Sequence, residues 1–227
     1  MRVAIFGASG MIGQGVLRAC LADPTVEQIV VIGRTSPGLH ENKIREVVHN
    51  DFTDLTAIAD VLDGLDGCFY CLGVSSAGHT EAEYTRITYD YTLAVARAVY
   101  ENSPDATFMY VSGAGTDSSE TGRAMWARVK GRTENNLLAM PFTAYMFRPG
   151  YIQPGDGIVS KTPLYRWMYR VGSWLYPVLR RIAPGYVTTT AELGRAMIAL
   201  ASSDGKGPFI LDSHEINRLG LDSADRR

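Results

Sequence analysis

A chain of 227 residues with 46% hydrophobic and 20% charged residues is ordinary globular material, long enough for one substantial core and read as a single domain over 1–227. A formal charge of −2 excludes a large nucleic-acid footprint, and no uninterrupted apolar run approaches membrane-spanning length. A strand pattern that begins at residue 2 leaves no room for a leader segment, and three cysteines make no even disulfide framework; together these features predict a cytoplasmic protein.

Residues 3–6, Val-Ala-Ile-Phe, are continuously apolar, as in a central parallel strand covered on both faces. Gly7-Ala-Ser9-Gly10-Met11-Ile12-Gly13 follows, then a helical pattern over about 11–22 and a second apolar strand over 28–32. Gly7 can take backbone angles closed to other residues, Gly10 lets the chain approach a ligand without a Cβ, and Gly13 permits close helix-to-strand packing. A spaced-glycine pattern is weak alone. Between a strand and a helix it predicts a dinucleotide site, with the pyrophosphate over the free N–H groups of the helix start.

Strand and helix patterns alternate from there. The polar loop 34–43 carries turn chemistry at Ser36-Pro37-Gly38, a third strand lies near 45–48, and Asp54 is placed to cap a helix ending near 62. A fourth strand is expected over 68–72, a long helix over about 80–100 and a fifth strand over 106–111. A helix over about 121–138 precedes a sixth strand, 143–147, which Arg148-Pro149-Gly150 stops; a further helix over 190–200 and a strand over 208–211 close the pattern. The fold class is therefore α/β, a Rossmann-type doubly wound parallel sheet, with 151–187 as a small, partly helical substrate or lid region. Between Pro163 and Pro184, aromatics interleave with arginines, which suits a flap over an apolar pocket, a subunit or membrane-surface contact, or plain core helices.

Such sheets bind ligands at the carboxyl ends of their strands where the strand order reverses. That rule collects the Gly7 turn, Arg34, Asp51, Leu72-Gly73, Ser112 and Pro149 around one crevice. NAD-preferring enzymes place an acidic residue at the end of the second strand to bond the ribose 2′-hydroxyl, whereas this chain has Ile32-Gly33-Arg34-Thr35. A guanidinium there pairs with a 2′-phosphate, which favours NADP(H) over NAD(H). Asp51, after the third strand, either touches the adenine edge or closes a turn. Cys68-Phe-Tyr-Cys71 matches C-x-x-C, but within a strand the two thiols point to opposite faces, so they read as small buried hydrophobes. The four histidines show no metal-binding spacing, and no metal is expected.

With its GASGMIG turn, Ser112 after the fifth strand, Val129-Lys130-Gly131 in the next helix and Phe147-Arg148-Pro149-Gly150 after the sixth, the sequence resembles the short-chain dehydrogenase/reductase superfamily. More narrowly it is similar to the small atypical members of the Tat-interacting-protein type, often labelled nucleoside-diphosphate-sugar epimerase-like; the likeness covers almost the whole chain. The resemblance implies a Ser that positions the substrate carbonyl and a Tyr-x-x-x-Lys pair. In that pair the Tyr is the general acid/base, and the Lys lowers its pKa and holds the nicotinamide ribose. Carried over by position, these are Ser112 and Lys130, but the tyrosine position is Trp126. An indole N–H donates a hydrogen bond without exchanging a proton in the working pH range. Tyr151 is the leading substitute, with Tyr84 and Tyr89 behind it as packed aromatics whose hydroxyls reach the surface, and Asp90 lies near a polar position that orders the lysine through water. The loop 113–122 is a substrate wall or a mobile lid. Three functions follow: an NADPH-dependent reductase of a small, quinone-like or flavin-like acceptor; a non-catalytic NADPH-binding module that regulates a protein partner; and a nucleotide-sugar epimerase or dehydratase. The oligomeric state is left open.

Overall fold

The computed structural model describes residues 1–36, 38, 41–155, 157–158, 181–182, 184–203 and 205–222. Strands β1 (Arg2–Phe6), β2 (Gln28–Gly33), β3 (Ile44–Val48), β4 (Gly67–Tyr70), β5 (Thr107–Val111), β6 (Ala144–Arg148), β7 (Tyr151–Gln153), β8 (Val187–Thr189) and β9 (Ile210–Asp212) alternate with helices. These are α1 (Met11–Ala22), α2 (Glu81–Thr85), α3 (Tyr91–Asn102), α4 (Met125–Leu138), α5 (Thr190–Ala201) and α6 (Ser213–Asp222), with a π-helical segment, Arg86–Asp90, between α2 and α3. Seven strands make one parallel sheet in the order β3-β2-β1-β4-β5-β6-β9. The chain therefore winds outward from β1 on one side and from β4 on the other, and the reversal that the sequence predicts falls between these two strands.

Both faces of the sheet are covered, which is why its strands lack polar alternation. Phe6, Ile32, Tyr70, Phe108 and Tyr110 pack on one face against α3 and the 3₁₀ segment Thr56–Leu62. Ile5, Val31, Phe69, Met109 and Phe147 pack on the other against α1 and α5. Cys68 belongs to the first cluster and Cys71 borders the second, so the C-x-x-C residues lie on opposite sides of the sheet. Burial pushes both thiols up, Cys71 to about 12, and keeps them unreactive near neutral pH.

Several elements differ from their expected form. The helix expected up to residue 62 is a 3₁₀ segment because Ile58 leaves helical angles (φ −127°, ψ 19°), while the Asp54 carboxylate accepts from Thr56 N at 2.9 Å ahead of it. Helix α4 starts at Met125 rather than near 121. The Asp117 carboxylate accepts from the backbone N–H groups of Ser119 and Gly122, and Glu120 has a left-handed φ of 62°, so 117–122 is wound into a loop. Sequence pattern misses α6 and the two-stranded parallel sheet of β7 and β8, whose three-residue strands are too short to carry periodicity. The aromatic and arginine run of 165–180 lies outside the described residues.

The junction of β1 and α1 is a tight backbone contact. Gly7 has φ +84°, and a Cβ on Gly13 would stand 2.2 Å from the Gly7 carbonyl oxygen and 2.7 Å from Ala8 Cα. Backbone atoms there cannot step aside. Gly13→Ala is therefore expected to lower unfolding free energy by about 1–3 kcal/mol, as overpacking does; chemical denaturation followed by intrinsic fluorescence measures it, and an unchanged midpoint would refute the tight junction.

Candidate functional site

The turn between β1 and α1 is closed by Gly10 N donating to Gly7 O at 2.9 Å, and the Gln14 side-chain amide donates to Ser9 O at 3.1 Å. Helix α1 has Gly10 at its N-cap, no side-chain cap and no acidic residue in its first turn, so no side chain claims the N–H groups at its start, around Met11 and Ile12. Uncapped N–H groups at the positive end of a helix make an anion site. Gly10 meets nothing closer than Gly7 O, 3.3 Å from its Cβ position, and Gly73 faces open space, while a Cβ on Gly7 would lie 2.7 Å from Leu72 N. The glycine turn and the segment after β4 thus lie in direct backbone contact.

At the end of β2, Arg34 is exposed and forms no hydrogen bond or ion pair among the described residues. Asp51 is exposed too, but its carboxylate accepts from Thr53 N at 2.9 Å and Thr53 Oγ1 at 2.5 Å, bonds that hold it below the usual carboxylate range. It closes a turn, and both bonds fall on Oδ1.

Beyond β5 a buried polar cluster ties three elements together. Ser112 is 5% exposed; its hydroxyl donates to the Glu134 carboxylate and lies 3.1 Å from Phe147 O. Glu134, on α4 and 1% exposed, also accepts from Arg148 of β6, through Nε at 3.1 and 3.0 Å and through Nη2. Arg148 Nη2 reaches Ser118 Oγ as well, at 2.5 Å. A serine hydroxyl has one proton to donate. In this structure that proton is donated to Glu134, and the residue ties the end of β5 to α4. Glu134 and Arg148 escape sequence reading, although Lys130 and Glu134 stand four apart on one helix, a spacing that brings side chains together.

Lys130 is half-buried, and its ammonium donates to the Ser112 carbonyl. Burial lowers its pKa to about 8, with the Glu134 charge acting in the opposite sense. One turn earlier, Trp126 lies half-buried with its six-membered ring 3.3 Å from the Cβ position of Gly115, so the indole covers the start of the loop after β5. That loop is packed against α4. Asp117 N donates to Ala127 O at 3.1 Å, Asn135 Nδ2 donates to Ser118 O at 2.9 Å, and Asp117 O fills the space where a side chain on Gly131 would go. Ala114 N also donates to Pro149 O at 2.8 Å, joining the loops after β5 and β6.

The tyrosines are placed less favourably. Tyr151 sits on β7 with its hydroxyl donating to Gln153 Oε1 at 3.0 Å. Tyr84 is 2% exposed, so its hydroxyl lies inside the protein and not at the surface as expected. Tyr89 lies beneath Arg132, whose guanidinium is 4.3 Å from the ring centre. No helix among the described residues is long and apolar enough to cross a membrane.

The model of the NAD dependent epimerase/dehydratase family matches residues 3–125. The chain belongs to that family. This places it in the short-chain dehydrogenase/reductase superfamily, as the sequence resemblance implies. Within its reach lie the protein fmp52-2, mitochondrial, of Aspergillus terreus, 25% identical over 232 residues and 96% of each chain, and the protein fmp-52, mitochondrial, of Neurospora crassa, 23% identical over 96% of this chain and 94% of that one. Among solved structures, the Bordetella bronchiseptica enzyme WbmF in complex with NAD+ is 15% identical, with a TM-score of 0.68 over 99% of this chain and 77% of its own. The dTDP-glucose 4,6-dehydratase DesIV of Streptomyces venezuelae, with NAD bound, is 16% identical, with a TM-score of 0.66 over 99% and 81%. These family likenesses share the parallel Rossmann sheet. The relatives' names overturn the cytoplasmic expectation, because proteins matching over nearly their whole length are named as mitochondrial. A cysteine count does not distinguish one reducing compartment from another.

The buried Glu134–Arg148 pair leads to a stability prediction. Arg148→Met leaves the Glu134 charge buried without its main partner and is expected to cost about 3 kcal/mol, the lower end for a buried pair because Arg148 is partly exposed. A double variant, Arg148→Met with Glu134→Gln, should lose less than the single Arg148 change. Denaturant titration of the three proteins checks the order, and a double variant less stable than the single one would contradict it.

Proposed function

We propose that the chain is an NADP(H)-dependent reductase of a small acceptor. The observation that carries this reading is the uncapped start of α1 together with an exposed Arg34 at the end of β2, unpaired among the described residues, and no acidic residue at that strand end. In this reading Gly7, Ser9, Gly10, Met11, Ile12 and Gly13 hold the pyrophosphate, Arg34 holds the 2′-phosphate, and Asp51 borders the adenine. Leu72, Gly73 and Pro149 line the path towards the nicotinamide, and Lys130 holds its ribose. The whole chain acts as one domain, with 151–187 as the substrate region. The bound cofactor supplies hydride, and the protein's own residues orient it and manage the proton.

Trp126 in the tyrosine place removes a group that commonly supplies about 10² to 10⁴ in rate. Acceptors that need little protic help, quinone-like or flavin-like, suit such a site better than simple ketones. Tyr151 remains a substitute only if the region around β7 brings its hydroxyl to the acceptor. The same tryptophan favours a second reading, a non-catalytic NADPH-binding module that signals to a protein partner, because the indole covers the loop after β5. An epimerase or dehydratase acting on nucleotide sugars ranks third. The structural neighbours WbmF, in complex with NAD+ and UDP, and MoeE5, in complex with UDP-glucuronic acid and NAD, are longer chains than this one, and that chemistry relies on the tyrosine.

Calorimetric titration is expected to give tighter binding of NADPH than of NADH, with Arg34→Ala abolishing most of the difference; equal affinities in the parent chain would defeat the assignment. In a panel of quinones, flavins and aldehydes, NADPH oxidation with at least one acceptor is expected. Trp126→Tyr should raise turnover of carbonyl acceptors at least tenfold while NADPH affinity stays within about twofold. No gain would show that the surrounding groups are not set for proton transfer to a carbonyl.

A further inference from the structure

We propose that Lys130 is the proton donor of this site, held in place by the Ser112 carbonyl beside the Glu134 charge, so that the lysine carries the proton that a tyrosine would otherwise give. The proposal rests on the reductase reading and adds the identity of the acid. Four observations support it. The tyrosine place is filled by Trp126, which lies against Gly115 and can donate a hydrogen bond but not a proton. The Lys130 ammonium stands at the carboxyl end of β5, where the sheet's ligand crevice opens, and one of its three donors is fixed on the Ser112 carbonyl, leaving two. The neighbouring residue is Gly113 (φ +137°), whose Cβ position is 3.9 Å from Nζ, so the crevice side of the ammonium carries no side chain from that position. Ser112, the other group expected to face a substrate, is committed to Glu134.

The groups packed around the ammonium set its charge. Glu134 lies one turn along α4, Arg148 of β6 is paired to that carboxylate, and the phenols of Tyr110 on β5 and Tyr84 on α2 lie beyond it. Tyr110 is pushed well above its ordinary range by burial and stays neutral. Burial alone would drive Lys130 towards the neutral amine; the buried Glu134 charge opposes this, and the balance stands at about 8. An ammonium with that pKa is still largely protonated near neutrality and gives up its proton far more readily than an ordinary lysine.

The step balances without a further reactant. Reduced nicotinamide, when bound, would supply hydride to the acceptor carbon, and the acceptor's carbonyl or quinone oxygen would take the proton from Lys130, breaking N–H and forming O–H. The neutral amine then regains a proton from water. Because the acid form is the working form, turnover should hold steady below pH 7 and fall as pH rises through about 8.

The first test needs no turnover. Acetylation of Lys130 by acetic anhydride in the cofactor-free protein, followed by mass spectrometry across pH 6–11, should show a midpoint near 8; a midpoint above 10 overturns the proposal and leaves the reductase reading intact. In turnover, kcat should fall above pH 8 with the same midpoint. Glu134→Gln should move that fall to lower pH, because the charge favouring the ammonium is gone. Lys130→Arg keeps a cation for the ribose and should bind NADPH within about threefold while losing 10²-fold or more in kcat. That variant keeps the test decisive if Glu134→Gln does not fold. Turnover with no fall between pH 7 and 9, or Lys130→Arg with kcat within twofold of the parent, overturns the proposal. If no acceptor is reduced at all, the reductase reading fails and the proton donor fails with it.

Discussion

The carbonyl oxygen of Gly7 occupies the volume that a side chain on residue 13 would need, and the position of the whole crevice follows from that contact. With Gly13 bare, α1 can start directly above the end of β1, and with Gly7 at φ +84° the turn lies flat against Cys71 and Leu72 after β4. The two halves of the sheet diverge at this place. A helix start with no capping side chain and no acidic first turn then faces the gap between them, which is how an anion site arises from backbone geometry alone.

A second constraint, independent of the first, fixes the far wall. Glu134 is a carboxylate held almost wholly out of water, and a charge so placed survives only with partners of good geometry. Arg148 and Ser112 supply them from two neighbouring strands, so α4, β5 and β6 are locked in register. Lys130 and Trp126 inherit their positions from that lock, since both stand on α4. The loop after β5 is held down by the same helix, through the close approach of Asp117 to Gly131 and the Asn135 bond to Ser118. The two sides of the crevice are thus built by different physics, one by bare backbone and one by buried charge.

This division explains what was legible in the sequence. The glycine turn, the alternation of apolar runs and the arginine after β2 are local signals, each expressed in a few consecutive residues. Strand order, helix α1 and the exposure of Arg34 follow from them. Glu134 and Arg148 are fourteen residues apart and meet only through tertiary packing; nothing in their local sequence marks a buried pair. Ser112 divides in the same way: its place after β5 is readable, but the partner of its hydroxyl is not. Asp117 and Glu120 delay the start of α4 through side-chain and left-handed backbone geometry that helical periodicity does not register. Cellular location was the least legible property, since the features used to infer it bear on redox chemistry and not on a particular compartment.

The account stands on a dinucleotide lying across the start of α1. Its most direct test is a ¹H–¹⁵N spectrum of the labelled protein titrated with NADPH. The largest shifts are predicted at the backbone amides of Gly10, Met11 and Ile12, with perturbation of the Arg34 side chain in the same titration. Shifts confined to other surfaces, with those amides unmoved at saturation, would contradict it.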